Sequence, residues 1–261
     1  LGLHEIIQIL NLPYGSYDGD YRLQEYDGSE NALIYEKNQF SRGIELSLEK
    51  DEILLALNLP TTLSEIRCFY DSIEKICQKL KKRSYLKDGE KVLLKEKERL
   101  IKCDVAASIG ALRDIEGKLV SGEYAYFEIF GVCHPISIGL QEINEISQNL
   151  DCFAQFLDRL QSIDAYYATP RIYKIEDRLV GIYVVGPDIQ SVVPIKPSVM
   201  SALRWQIEEW YILFDEERAI KYCDFIEHVK EKKYYDVNHV LVALSNSEIE
   251  SLTANYDAKL F

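Results

Sequence analysis

Apolar residues recur along the chain with two periods, and the switches between them mark out its elements. Leu3, Ile6, Ile7 and Leu10 share one face of a short helix that Pro13 ends. Tyr17-Asp18-Gly19 and Tyr26-Asp27-Gly28 then read as tight turns, because Asp and Gly tolerate positive φ. They punctuate a meander of short strands expected at 21–25, 32–36, 43–48 and 53–59. In the third, Ile44, Leu46 and Leu48 alternate with polar neighbours, which predicts one wet face. The fourth, Ile53 to Leu59, is almost continuously apolar and reads as the central strand.

Pro60 stops that strand, and Thr62 followed by Glu65 reads as a capping box. The helix behind it sets Ile66, Phe69, Tyr70, Ile73, Ile76, Cys77 and Leu80 at helical spacing, a stripe that has to be buried. Asp88-Gly89 turns a basic hairpin. A long helix follows from about 95 to 116, with Ile101, Val105, Ile109 and Leu112 inward and Gly117 as its stop. Beyond it the pattern predicts a strand at 123–131, helices at 140–147 and from Asp151, and a hairpin across 166–183. A short strand at 191–195 is confined to an edge by Pro194 and Pro197. Trp210 to Phe214 forms a second apolar strand, with Asp215 capping a second amphipathic helix to Lys230. The chain closes with a strand at 237–244 and a helix behind a Ser245 to Glu248 capping box.

This order predicts an α+β protein, antiparallel meanders each packed by amphipathic helices, divided near residue 120 into units 1–120 and 121–261 or continuous as one domain. The two strand-then-helix stretches, 52–80 and 207–230, also superpose in pattern. With Thr62 laid on Asp215, Ile66, Phe69, Tyr70, Ile73 and Ile76 fall on Ala219, Tyr222, Cys223, Ile226 and Val229. A two-unit internal pseudo-repeat is one explanation, and the general likeness of amphipathic helices is the other.

Composition narrows the partners. The 261 residues carry a net charge of −13, which argues against nucleic acid and anionic membrane. Residues 79–102 depart from it, with ten basic and four acidic side chains. That segment is +6 and the remainder −19. It reads as a solvated hairpin and helix face, or as a patch that docks an acidic surface, a second copy included. The chain opens without Met, so an upstream segment is expected, and no basic flank precedes an apolar core as a secretory signal requires. Six cysteines without paired spacing read as free, mostly buried thiols of a reducing cytoplasm.

Chemistry is sparse. No glycine-rich phosphate loop or serine elbow occurs, so no cofactor is predicted. Cys133 beside His134 could be half of a thiol nucleophile site, but adjacent side chains on an extended segment point to opposite faces and would not serve each other. Asp236 and His239, with His228 upstream, could ligate a metal, yet no HxxxH spacing or carboxylate triad supports a closed shell. Asp18, Asp20, Asp27 and Glu30 have the composition of a calcium loop without its order. The aromatics say more: among eighteen tyrosines, Tyr14, Tyr17, Tyr21 and Tyr26 crowd one meander and Tyr166-Tyr167 form a pair. With Asp18, these are the candidate binding residues, since rigid amphipathic rings give contact area at low entropic cost.

The segments Tyr17 to Leu23, Arg42 to Ile44, Asn58 to Ile66, Ser162 to Tyr173 and Asn238 to Val242 together resemble a bacterial family catalogued as domain of unknown function 4299. The resemblance implies a cytoplasmic protein of Gram-positive bacteria and transfers no catalytic residue. Two functions stay open: a protein-binding or regulatory module that partners another protein or itself, and a hydrolase-like enzyme with a carboxylate or Cys133/His134 site.

Overall fold

The computed structural model describes residues 1–19, 21–50, 52–199, 206–229 and 233–256, and it is α+β. Asp20 and Lys230 lie outside the described residues. The chain forms two compact units, 1–162 and 163–261.

The first unit begins with α1 (Leu3–Leu10), whose four apolar residues are all buried. The meander follows as β1 (Tyr14–Tyr17), β2 (Leu23–Gln24), β3 (Asn31–Ile34), β4 (Ile44–Glu49) and β5 (Glu52–Leu57), an antiparallel sheet in the order β2-β1-β3-β4-β5. Next come α2 (Leu63–Lys79), the hairpin β6 (Ser84–Lys87) and β7 (Glu90–Leu93), and α3 (Lys97–Val120). A second hairpin, β8 (Phe127–Phe130) and β9 (Pro135–Ile138), leads to α4 (Leu140–Ile146) and α5 (Leu150–Gln161). One face of the sheet meets α1 and α2. Ile34, Ile44 and Leu46 close against Ile6, Leu10, Ile66 and Tyr70 in the core.

Three expectations about this unit change. The continuously apolar run is not central: among the described residues β5 ends the sheet, pairing with β4 alone. Its Ile53, Leu55 and Leu57 pack on the core yet stay half-buried, because no strand lies beyond them. The Thr62 cap is half a capping box. Thr62 Oγ1 accepts the Glu65 amide at 3.1 Å, but the Glu65 carboxylate turns away to another loop. In α3 the inward stripe runs through Ile101, Asp104, Ser108, Leu112, Ile115 and Leu119, and Gly117 is internal. Two polar residues face inward there because they have partners, so apolar spacing alone misplaced the stripe. The chain leaves α3 at Gly122, whose φ of +74° suits glycine.

The second unit contains β10 (Tyr166–Tyr167), β11 (Arg171–Ile175), β12 (Arg178–Val184), β13 (Ser191–Pro194), β14 (Ile207–Leu213) and β15 (Ala219–Lys221). It continues with α6 (Tyr222–Val229), β16 (Tyr234–Asp236), β17 (His239–Val242) and α7 (Asn246–Tyr256). Two four-stranded sheets form, β10-β13-β17-β16 and β11-β12-β14-β15, sharing a core of Tyr183, Ile212, Phe225, Val193, Val240 and Ile249 among others. Two strand pairs, β10 with β13 and β12 with β14, are parallel, against the expectation of antiparallel runs throughout. β13 is an inner strand despite Pro194. The proline is its last residue, beyond the two positions that β10 pairs, so its missing N–H costs no ladder bond to β10. The pseudo-repeat overlay does not hold. Asp215 accepts amides from Glu217 and Arg218 in a tight turn into β15, so Ala219 lies in a strand where Ile66 lies in a helix. The predicted box at α7 forms in both directions, Ser245 Oγ taking the Glu248 amide and Glu248 the Ser245 amide. No helix among the described residues is long and apolar enough to cross a membrane.

Candidate functional site: a cleft beside a free strand edge

The position of α2 is set by a buried polar knot. Glu65, 2% exposed, accepts hydrogen bonds from the amides of Arg42 (3.1 Å) and Gly43 (2.6 Å) and from the Thr61 hydroxyl. Burial pushes its carboxyl above the usual range, and these donors oppose that shift. The Arg42 guanidinium, also buried, donates to the carbonyls of Phe130 (3.0 Å) and Pro60 (3.3 Å). Ser108 Oγ on α3 accepts the Thr61 amide at 3.2 Å. The Tyr17 hydroxyl donates to the carbonyls of Gly131 and Arg42. Glu65, Arg42, Ser108 and Tyr17 each bind backbone, and the assembly locks the start of α2 against β4 and α3.

Locked in this way, α2 floors a cleft of about 570 Å³ along the free edge of β5. Phe69, Ile73, Ile76, Cys77 and Leu80 come from the helix, Ile53, Leu55 and Leu57 from β5, and Tyr85 and Leu86 from β6. Exposed leucines line it from every side: Leu54, Leu59, Leu80 and Leu86, the last 69% exposed. Apolar surface gathered in one concavity marks a binding site more than scattered leucines do. The strand edge itself is unguarded. β5 contains no lysine or proline, and its register with β4 runs without a bulge, so it lacks the usual protections against pairing with another chain. The opposite edge differs: β2 is two residues long, and its Leu23 amide already donates to the Cys133 carbonyl.

Polar groups collect at the α3 side of the cleft. Asp104, 8% exposed, accepts from the Tyr70 hydroxyl at 2.5 Å and from Lys87 Nζ at 3.4 Å, and the ammonium lies 5.9 Å from the centre of the Tyr70 ring. Burial and this carboxylate push the Tyr70 phenol well up. The Tyr85 phenol is pushed up to about 12 chiefly by burial, and its hydroxyl has no hydrogen-bond partner among the described residues. A buried unmatched hydroxyl costs roughly 1–3 kcal/mol, and this one is enclosed by protein atoms and does not open onto the cleft.

The tyrosines singled out from sequence do not line this cleft. Tyr14 and Tyr21 are exposed, Tyr14 edge-on to Tyr26 with ring centres 5.7 Å apart and Tyr21 stacked on Phe130 at 4.4 Å. Tyr26 donates to the Ser29 carbonyl, and Tyr17 belongs to the knot. Asp18 is engaged by Arg22 through the amide and the guanidinium at 3.0 Å each. Tyr166 and Tyr167 sit in the second unit, where the Tyr167 hydroxyl meets His239 Nε2 at 2.9 Å. The Asp236 carboxylate holds the other imidazole nitrogen at 2.7 Å, so both ring nitrogens have protein partners. Among the described residues no three His, Cys, Asp or Glu side chains converge as a metal site. Cys133 is no activated thiol, since burial lifts it to about 11, and His134 Nδ1 lies 2.9 Å from the Pro135 carbonyl. All six cysteines are free, but only Cys77 is fully buried, fewer than expected. What sequence did signal was the basic hairpin and the stripe of α2. Neither indicated that they face one another across a free strand edge.

The segments that carried the family resemblance meet in space: Tyr17, Arg42, Pro60 and Glu65 in the knot, Tyr167 and His239 in the second unit. The family model described as domain of unknown function, DUF4299, matches residues 1–252. The chain belongs to that family. No curated protein and no solved structure matches it. Within this DUF4299 chain, the segments that carry the resemblance build much of the framework that holds α2, and the cleft lies beside that framework within the same matched span.

Proposed function

We propose that the protein is a binding module, regulatory in role and without catalysis of its own, that takes up an extended polypeptide segment as an added strand on β5. One observation carries this reading: an unguarded, leucine-rich strand edge opens onto an apolar cleft instead of solvent. An added strand satisfies the free amides and carbonyls of β5 and covers the half-exposed leucines at once, as in strand-addition recognition. The six free thiols and the family resemblance suit the bacterial cytoplasm as its location. The exposed tyrosines of the β1–β2 meander offer a secondary contact surface.

A fluorescein-labelled octapeptide of alternating valine and glutamine tests strand capture. Binding, followed by anisotropy, is expected to slow amide hydrogen exchange in residues 52–57. The same peptide N-methylated at alternate residues, which removes its donors on one edge, is expected not to bind. Equal binding of both peptides, or no change of exchange in 52–57, overturns the reading.

A further inference from the structure

We infer that the strand taken up here is acidic and is held between β5 and β6, so that the five-stranded sheet and the two-stranded hairpin become one sheet of eight strands. This deepens the strand-capture reading and rests on it.

Two observations support the bridge. First, all four residues of β6 line the cleft while none of β7 does, and among the described residues β6 pairs only with β7. The hairpin therefore presents a second strand with an unpaired edge to the same space that β5 borders. Second, the size fits. A strand residue fills about 160 Å³, from a rise of about 3.4 Å, a strand spacing of about 4.8 Å and a sheet spacing of about 10 Å. The cleft of about 570 Å³ thus takes between three and four residues, matching the four of β6.

The charge of the occupant follows from the rim. Lys82 and Lys87 line the cleft, and Lys81, Arg83 and Lys91 stand exposed on the hairpin with no ion-pair partner among the described residues. Three carboxylates also line it. Asp104 is occupied by Tyr70 and Lys87, Glu52 is the first residue of β5, and Asp88 lies in the hairpin turn. Asp88 and Glu90 also have no ion-pair partner among the described residues, but Lys81, Lys82, Arg83 and Lys91 outnumber them, so the uncommitted charge beside β6 is positive. Lys87 holds Asp104 at 3.4 Å, a long contact that leaves ammonium protons for a second carboxylate. A strand alternating apolar and acidic residues sets one face on the leucines and offers carboxylates to the lysines.

Three N-acetylated, C-amidated octapeptides, alternating valine with glutamate, glutamine or lysine, test this on the whole chain at low salt. The glutamate peptide is expected to bind about tenfold more tightly than the lysine peptide, with glutamine between, and the difference is expected to shrink at about 0.5 M salt. Hydrogen exchange is expected to slow in 84–87 as well as in 52–57. The double variant Lys81→Glu/Lys82→Glu, at exposed positions, is expected to reverse the order while circular dichroism stays unchanged. Three equal affinities with exchange slowed in 52–57 overturn the acidic preference and leave strand capture standing. Slowing in 52–57 alone overturns the bridge, and failure of all three peptides to bind overturns both readings. A concentration-dependent dimer that excludes the peptides and is dissolved by Leu86→Ser replaces the acidic strand with a second copy.

Discussion

Glu65 offers the sharpest test of how the site is held in place. Replacing it by alanine removes the acceptor for the Arg42 and Gly43 amides and for the Thr61 hydroxyl, three buried donors at once. At roughly 1–3 kcal/mol for each unmatched group, with some relief from entering water, the expected loss is about 4–6 kcal/mol. Glutamine behaves differently. One side-chain oxygen still accepts both amides, and the Thr61 hydroxyl can rotate to accept from the new amide group. It forfeits the charge-assisted part of those bonds but also removes a buried charge, so Glu65→Gln is expected within about 1 kcal/mol of the parent near neutral pH. The pH dependence has a definite sign. The folded carboxyl titrates above its unfolded value of 4.5, so its protonated form is favoured by folding. That contribution is complete below the unfolded value and is lost as pH rises through the folded one. The stability difference should therefore shift towards the parent, relative to Glu65→Gln, on going from about pH 7.5 to about pH 5. Urea unfolding followed at 222 nm reports on this, since α1 to α5 all belong to the same unit as Glu65. An alanine variant costing less than about 1 kcal/mol, or a glutamine variant as damaging as alanine, would refute the hydrogen-bond account. A difference that moves the other way on acidification would refute the pH argument.

Leu86→Ser should leave the urea midpoint nearly unchanged, because the side chain is 69% exposed. It should weaken binding of the glutamate octapeptide about tenfold, measured by anisotropy, since that exposed surface is what the strand covers. Gly181→Ala should destabilise the second unit by about 1–3 kcal/mol in thermal melts, because the new Cβ would stand 2.2 Å from the Trp210 ring on the paired strand. Ile73→Asp places a charge on the buried face of α2 and should cost several kcal/mol, seen as loss of the cooperative urea transition. Iodoacetamide at about pH 8 should alkylate exposed Cys103 and Cys223 well before Cys133, whose pKa of about 11 leaves roughly one thiolate in a thousand. Mass spectrometry of the tryptic peptides decides between them.

Much of the fold was legible because it is local. α1 lies where its apolar spacing put it, the stripe of α2 from Ile66 to Cys77 is buried as its period required, and the Ser245–Glu248 box caps α7. The α+β class followed from the order of such segments. Less of the candidate site was legible. The basic hairpin and the apolar helix face could each be read from the sequence, but the exposed tyrosines that looked most like a binding surface lie away from the cleft.

The sequence by itself determined the period of each element, and so which of its faces turns away from water. Tertiary structure alone decided what lies beside each element. Ile53 to Leu59 shows the difference, since a continuous apolar run is compatible with a sheet centre or with an edge that borders an apolar cleft. The choice depends on whether another strand pairs beyond it, and that is a contact between segments distant in sequence. The same holds for Glu65, which reads as half of a local cap until the loop at Arg42 and Gly43 arrives with two amides that need an acceptor. Hydrogen bonds to backbone carry no periodic signature, because any residue supplies the amide. A knot made of them, and the cleft it holds open, appear only when the chain has folded.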